Sequence, residues 1–499
     1  MELRRLLENV PVLGVEGAMD RDISGITYDS RRVTPGMLFV AIPGQKADGH
    51  DFIHNAIGRG AVAILCERNG GLPQKATKVK VANVREALAR VASSFFEHPS
   101  SNLKVIGVTG TNGKTTVSFL TKAILESAGI KTGLMGTVHY EIGDRVIPAQ
   151  RTTPESLEVQ QMMAQMLRAG CQACVMEVSS HALEQKRIFG IDFDVAVFTN
   201  LTRDHLDFHG TMESYFAAKR NLFLSLGHGQ KKAAAVINID DAFGARLSGL
   251  TNVEVELTYG LQNAARLRAT NIQLGRGSST FDIETSGRSF ACRVPLIGRH
   301  NIYNALAAIG AGLALDIDIT HIQAALSGLA PVPGRLEIIS CGQPFAVFVD
   351  YAHTDDALQN VLTTLREVTK GRVLVAFGCG GNRDTGKRAK MGKVAAELAD
   401  YTIITSDNPR KESPEKIAAQ IEEGYRQVRA EDYCIELDRR RAIHRIIAEA
   451  KENDAVLLAG KGHETYQEFE DTVVPFDDRA HAREALEGRG YKCPETKTA

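Results

Sequence analysis

The chain has 499 residues, of which 43% are hydrophobic and 24% charged, a globular composition that excludes disordered and collagen-like classes and suits roughly three domains, each with its own core. Its 59 basic residues nearly balance its 60 acidic ones, so no overall field draws it to nucleic acid or an anionic membrane, and an anionic ligand must be held by a local site. Eight cysteines are too sparse for a disulfide framework.

The first segment, MELRRLLENV, has charges with no apolar stretch behind them. No run approaches the ~18 apolar residues of a membrane span, so a cytoplasmic location is the expectation. Residues 1–98 mix short β-branched runs, MLFVAI and AVAILC, with glycine turns and end in the helical pattern VREALARVASSFF. The polar, proline-containing EHPSSN then reads as a linker.

From Leu103 onward the apolar runs KVIGVTG, ACVMEVSS, DVAVFTNL and AAAVINID alternate with amphipathic helical patterns, which predicts βαβ units and a mostly parallel sheet. Cys171 and Cys174 lie at the start of one such run and lack the second ligand pair of a zinc site, so they read as buried thiols. After PVPGRLE a second alternating block carries FAVFVDYA, RVLVAFG, YTIITSD and DAVLLAGKG, separated by helical segments such as DDALQNVLTTLREV and SPEKIAAQIEEGYRQV. The expected fold is α/β in three domains: 1–98, 99–332 and 333–499.

The stretch KVIGVTGTNGKTTVSFLTKAILESAG is an apolar strand, a glycine-rich turn ending in Gly-Lys-Thr, and a helix. Gly110 and Gly113 let backbone N–H groups wrap phosphate oxygens, Lys114 brings a point charge to them, and Thr115 offers a hydroxyl to Mg²⁺. The helix N-terminus adds its partial positive charge. GTNGKTT departs from the common GxxxxGK[ST] spacing whether counted from Gly107 or from Gly110. By itself the loop says NTPase or kinase as readily as ligase.

TGTNGKTT is followed by MEVSSH at 176–181, NLTRDHLD at 200–207, GRHNIYNALAA at 298–308 and DYAHTDDAL at 350–358. This series, in order and spacing across nearly the whole chain, resembles the Mur ligase family. The resemblance implies an N-terminal domain binding a UDP precursor, a central P-loop ATPase domain and a Rossmann-like C-terminal domain. It places ATP on Gly110, Thr111, Asn112, Gly113, Lys114, Thr115 and Thr116, and on Asn301, Arg335, Asp350 and His353 across a clamp that closes around substrate. Glu177 and His205, each following a strand, are expected at strand ends beside Thr115, where the resemblance implies they bind Mg²⁺. Lys219 in SYFAAKRNLF would ordinarily be a solvated helix lysine. The family places there a lysine carbamylated by CO₂, which needs a depressed amine pKa and supplies an anion for a second Mg²⁺. Lys114, Lys219 and His205 are thus the expected catalytic groups. Asp355 stands where such relatives often have proline, so a local turn difference is expected.

YDSRRVTPGMLFVAIPGQKADGHDFI resembles the UDP-binding part of the diaminopimelate- or lysine-adding ligases, with Ser30 and segment 45–47 near the uridine diphosphate. Folylpolyglutamate synthases lack such a domain. Thr152, Thr153, Ser179, Gln185 and Arg187 match contacts to the muramoyl peptide. Asp407, Asn408, Pro409 and Arg410 form DNPR, the signature for meso-diaminopimelate, and Arg383, Gly460 and Glu464 match its remaining contacts. A guanidinium at Arg410 grips a distal carboxylate and repels the distal ammonium of lysine, whereas a lysine-adding enzyme predicts a neutral or acidic residue there. The implied reaction is ATP-dependent amide formation through an acyl phosphate in peptidoglycan synthesis, by a monomer without nucleic acid or membrane insertion. A regulatory P-loop protein without catalysis is the rival of another class, and intact Thr115, Glu177, His205 and Lys219 weigh against it.

Overall fold

The computed structural model describes residues 1–44, 47–68, 75–229, 231–275 and 277–494. The N-terminal part carries a five-stranded sheet whose centre is Met37–Val40 beside Ala63–Cys66. Its helix Val84–Phe95, capped by the Asn83 side chain on Glu86 N, buries Val84, Ala87, Leu88, Val91 and Ala92, the i, i+3, i+4, i+7 stripe that VREALARVASSFF announces.

The middle of the chain forms an eleven-stranded sheet. Its parallel centre runs in the order Thr132–Met135, Ala173–Glu177, Lys104–Thr109, Val195–Phe198, Ala234–Asn238. These strands are buried on both faces, which is why they read as continuous apolar runs instead of alternating ones. Antiparallel hairpins extend both edges; they are half exposed, and the sequence reading missed them. Helices Lys114–Ser127 and Arg299–Ala314 cover one face, and the second buries nearly every position through its run of alanines and glycines.

The last part holds a six-stranded sheet with Ala346–Asp350, Ala455–Ala459, Val373–Phe377 and Tyr401–Ile404 in parallel register. Helices Asp355–Val368 and Pro414–Arg426 match the predicted segments. Asp355 is the first residue of its helix, with Thr354 as the cap accepting from Ala357 N. Proline and an acidic residue both suit that position, the one by its fixed φ and the other through the helix dipole, so no special turn is needed there. Cys171 and Cys174 are buried free thiols, as expected. Contrary to a chain without disulfides, Cys341 and Cys493 are bonded to each other, tying the C-terminal end to the segment that enters the last sheet. A separation of 152 residues hides such a pair from any spacing rule.

Candidate functional site

The strand Lys104–Thr109 delivers the chain into the turn 110–113 and then into helix Lys114–Ser127. At Gly110, with φ 148°, a Cβ would fall 1.9 Å from Thr199 Oγ1, and at Gly113, with φ 87°, it would fall 2.3 Å from Asn304 Oδ1. Only glycine fits either place. The turn is pinned to the loop after the neighbouring strand: Thr111 N donates to Asn200 O (2.9 Å), Asn112 N to Asn200 Oδ1 (2.9 Å), and Thr199 Oγ1 to Asn112 O (2.6 Å). Lys114 Nζ lies over the loop, donating to Gly110 O (3.0 Å) and Thr111 O (2.8 Å). Burial lowers its pKa, opposed by Glu177 and Asp204.

Glu177 is the last residue of its strand and is buried. Its carboxylate accepts from Thr115 Oγ1 (3.0 Å), Thr137 N (2.8 Å) and Thr137 Oγ1 (3.0 Å). His205 is not at a strand end as expected: its strand closes at Phe198, and His205 stands in the following loop with φ 55°, just before the short helix Leu206–His209. Its ring lies 3.4 Å from Asp204 and 4.9 Å, edge-on, from the His181 ring. Burial pushes its pKa down to about 3 despite Asp204, so it is a neutral imidazole able to offer a lone pair. Lys219, read on sequence chemistry alone as a solvated helix lysine, is only 1% exposed. Its Nζ donates to Gly110 O (2.7 Å) and sits 4.7 Å from the Tyr215 ring. Burial, with Lys114 next, drives its pKa well below the usual lysine range.

Across from the loop stands a wall from the last sheet. Arg335 Nη2 donates to Thr115 Oγ1 (2.9 Å), and its guanidinium lies 5.1 Å from the Tyr351 ring. Asp350 ends the strand Ala346–Asp350 and accepts from Leu336 N (2.7 Å) and Ala352 N (2.8 Å); burial raises its pKa. His353 Nδ1 contacts Tyr351 O (2.8 Å), and burial lowers its pKa to about 4. Asn301 bonds Ile297 O (2.9 Å) and Asn304 (3.0 Å) on helix Arg299–Ala314. Asp356 reaches back to Asn112 Nδ2 (2.6 Å) and Thr202 Oγ1 (3.2 Å). Together these groups enclose a cavity of about 480 Å³ lined by the loop residues Thr111 to Thr116, Glu177, His205, Asn301, Arg335, Asp350 and His353. Lys219 is absent from that lining and touches the loop from behind, through Gly110 O.

Thr152 and Thr153 stand one step further along. Thr137 Oγ1, its proton committed to Glu177, accepts from Thr152 Oγ1 (3.1 Å), while Thr153 Oγ1 donates to Glu177 O (2.8 Å) and accepts from Ser179 N (3.0 Å). Arg187 donates to Thr153 O (2.9 Å) and Gln185 Oε1 (2.6 Å) and pairs with Glu155 (3.1 Å). Thr152, Thr153, Ser179, Gln185 and Arg187 therefore form one cluster. Ser30 is buried in the N-terminal part, in the short turn Ser30–Arg32. Tyr28 nearby joins that part to the middle through Glu158 (2.7 Å). Of segment 45–47, Gln45 and Lys46 lie outside the described residues.

The DNPR segment follows the strand Tyr401–Ile404. Asn408 Nδ2 donates to Glu464 Oε2 (2.9 Å) and Gln467 Nε2 to Asp407 O (2.9 Å). Arg410, with φ 53°, donates from Nε to Glu468 (2.9 Å) and from Nη1 to Gly381 O (2.9 Å). Pro409 packs on Gly381, Arg383 and Arg410 flank Gly380, and Gly460 lies against the Asp407 carboxylate. The structure thus brings all seven predicted residues together in one cluster. Sequence reasoning missed Thr137, Asp356 and Lys461. Asp356 lies inside the quoted DYAHTDDAL and the fully buried Lys461 inside GKGHE (460–464), between the matched Gly460 and Glu464, so both had a signal in the sequence and Thr137 had none.

A phosphate loop at the C-terminal ends of a parallel sheet, facing a second α/β unit across a polar cavity, defines a nucleotide-handling protein of more than one domain. Family models match along the chain: Mur ligase family, catalytic domain, over 22–96; Mur ligase middle domain over 108–312; and Mur ligase, glutamate ligase domain, over 334–462. The chain is 46% identical to a UDP-N-acetylmuramoyl-L-alanyl-D-glutamate–2,6-diaminopimelate ligase of Syntrophomonas wolfei over 98% of its own length and 100% of the relative. It is 48% identical to one of Solibacter usitatus over 94% of each. A solved structure of a ligase of the same description superimposes with a TM-score of 0.70 at 33% identity, covering 99% of this chain and 100% of that one. The chain belongs to the Mur ligase family.

Proposed function

We propose that the protein is an ATP-dependent amide ligase that joins meso-2,6-diaminopimelate to the D-glutamate of UDP-N-acetylmuramoyl-L-alanyl-D-glutamate, a cytoplasmic step of peptidoglycan precursor synthesis. The observation that carries this reading is the single cavity in which the loop residues Gly110 to Thr116 and Glu177 face Arg335, Asp350 and His353, with the DNPR pocket on the same C-terminal unit. Residues 1–98 would hold the uridine precursor, 99–332 ATP, and 333–499 the amino acid.

In this reading Ser30, Thr152, Thr153, Ser179, Gln185 and Arg187 seat the UDP dipeptide so that its terminal carboxylate approaches the phosphate loop. A carboxylate oxygen attacks the γ-phosphorus of ATP and ADP leaves. The diaminopimelate amine then attacks the acyl phosphate carbon, phosphate departs and the amine proton is lost, giving an amide. Lys114 moves from the Gly110 and Thr111 carbonyls onto the transferring phosphoryl group, and Arg335 adds a second positive charge from the facing wall.

The residues present fit Mg²⁺: a buried carboxylate and a hydroxyl in direct contact, Glu177 and Thr115 at 3.0 Å, are hard oxygen donors on a phosphate loop, and His205 is neutral. Bound there, the ion would supply charge neutralisation for the nucleotide phosphates. Burial lowers the Lys219 pKa well below the usual lysine range, and its uncharged form would take up CO₂ with loss of a proton to form a carbamate, a further anionic oxygen donor beside Gly110. Arg410, Arg383, Asp407, Asn408, Pro409, Gly460 and Glu464 recognise the distal end of diaminopimelate. The test is ADP release with the UDP dipeptide and each amino acid supplied or withheld. Release that needs both the dipeptide and diaminopimelate supports the reading, and release with L-lysine in its place, or with neither, overturns it.

A further inference from the structure

We infer that Lys461 is a positioning residue of the amino-acid pocket: its buried ammonium locks Asn408, Asp407 and Glu464 in register and brings the pocket into charge balance with a zwitterionic ligand end. This rests on the functional reading above.

Lys461 follows the strand Ala455–Ala459 and is completely buried. Its Nζ donates to Glu464 Oε2 (2.9 Å) and Asn408 Oδ1 (3.2 Å), lies 3.7 Å from Asp407 Oδ1, and sits 5.4 Å from the Tyr466 ring. A buried ammonium persists only where carboxylates and hydrogen-bond acceptors compensate its lost hydration. Here the compensating groups belong to two separate segments, DNPR and GKGHE, so a single side chain staples them. The staple also settles how Asn408 points. Its Oδ1 receives the Lys461 ammonium and the Glu468 backbone N–H (3.0 Å), both donors only, which leaves Nδ2 to donate to Glu464.

The charges of the pocket balance through Lys461. Arg383, Arg410 and Lys461 are matched by Asp407, Glu464 and Glu468. The distal end of diaminopimelate carries an ammonium and a carboxylate and is net neutral, whereas that of lysine is a cation. Loss of the Lys461 charge leaves one carboxylate in excess, which weakens the grip on the zwitterion and favours the cation. Burial raises the Glu464 carboxyl pKa, with Lys461 the largest opposing influence. Lys461 thus acts on the ligand through its neighbours.

The experiment compares wild type with Lys461→Met, which keeps the length of the stem, in steady-state kinetics for diaminopimelate, L-lysine and ATP, with Tm measured alongside. The expected result is a KM for diaminopimelate raised about tenfold or more, as for truncation of a buried charge pair, an ATP KM within about twofold, and a higher kcat/KM for L-lysine relative to diaminopimelate. The double variant Lys461→Met/Glu464→Gln removes both members of the pair, so it folds even if the single variant does not. It should keep the raised KM without the shift toward lysine. An unchanged diaminopimelate KM overturns the inference, as does a uniform loss for all substrates that follows Tm alone. Wild-type enzyme that ignores diaminopimelate would instead remove the functional reading beneath it, so the two failures are told apart.

Discussion

Lys219, behind the phosphate loop, and Lys461, in the amino-acid pocket, are both fully buried and yet differently partnered. Lys219 has a backbone carbonyl, Gly110 O, and an aromatic face, with Lys114 as a repelling neighbour. Lys461 has Glu464, Asp407 and the Asn408 amide. Burial alone disfavours the charged form of each. A carbonyl does little to repay that cost, and the Lys219 pKa falls well below the usual lysine range, whereas Lys461 is held by two carboxylates and an amide oxygen. Residue type and exposure are the same, and the partners decide the chemistry.

The comparison breaks first at Lys219. Lys219→Ala should leave activity near background, with partial rescue by added short-chain carboxylates that enter the vacated space, and depletion of CO₂ should lower wild-type activity in step. Full activity without rescue, measured as ADP release, would reduce Lys219 to a packing residue. Next comes the carboxylate that shares its region: Glu177→Ala should bind the UDP dipeptide and lose roughly a hundredfold or more in turnover, the equivalent of about 3 kcal/mol. Turnover unchanged beside intact dipeptide binding would remove Glu177 from the reacting centre.

In the other region the effect should appear in one substrate only. Truncating a charged partner held by hydrogen bonds costs about 2 to 5 kcal/mol, so Arg410→Ala should raise the KM for diaminopimelate roughly 30-fold or more and hardly move that for ATP. It should also narrow the gap between diaminopimelate and L-lysine. The guanidinium already bonds Glu468 and Gly381 O, so an unaltered preference in the variant would mean that those bonds are its whole role. The smallest change concerns the contact between the two regions. Asp356→Ala removes hydrogen bonds to Asn112 and Thr202, each worth about 1 kcal/mol, and should raise the KM for ATP several-fold while leaving that for diaminopimelate unchanged. An identical KM for ATP would show that the units close without this link.

Much was legible in one dimension because the signals are local. A strand buried on both faces is an apolar run, a phosphate loop is glycines next to a lysine and a threonine, and the order of the motifs carries the family resemblance. The doubly buried parallel strands and the helices Val84–Phe95, Asp355–Val368 and Pro414–Arg426 were readable for that reason. The antiparallel edges were not, since their half-exposed residues carry no continuous apolar pattern. His205 was placed at a strand end because a loop of that kind has no signature of its own.

The sequence by itself determined the α/β class, the phosphate loop and the family resemblance, and through that resemblance named much of what lines the cavity and the DNPR cluster. Only the tertiary structure decided what surrounds each of them: that Lys219 is buried behind the loop, that Thr137 holds Glu177, that Asp356 reaches across from a helix 244 positions away from Asn112, and that Cys341 meets Cys493. A side chain's charge state follows from its desolvation and its partners, and those are set by groups distant in the chain.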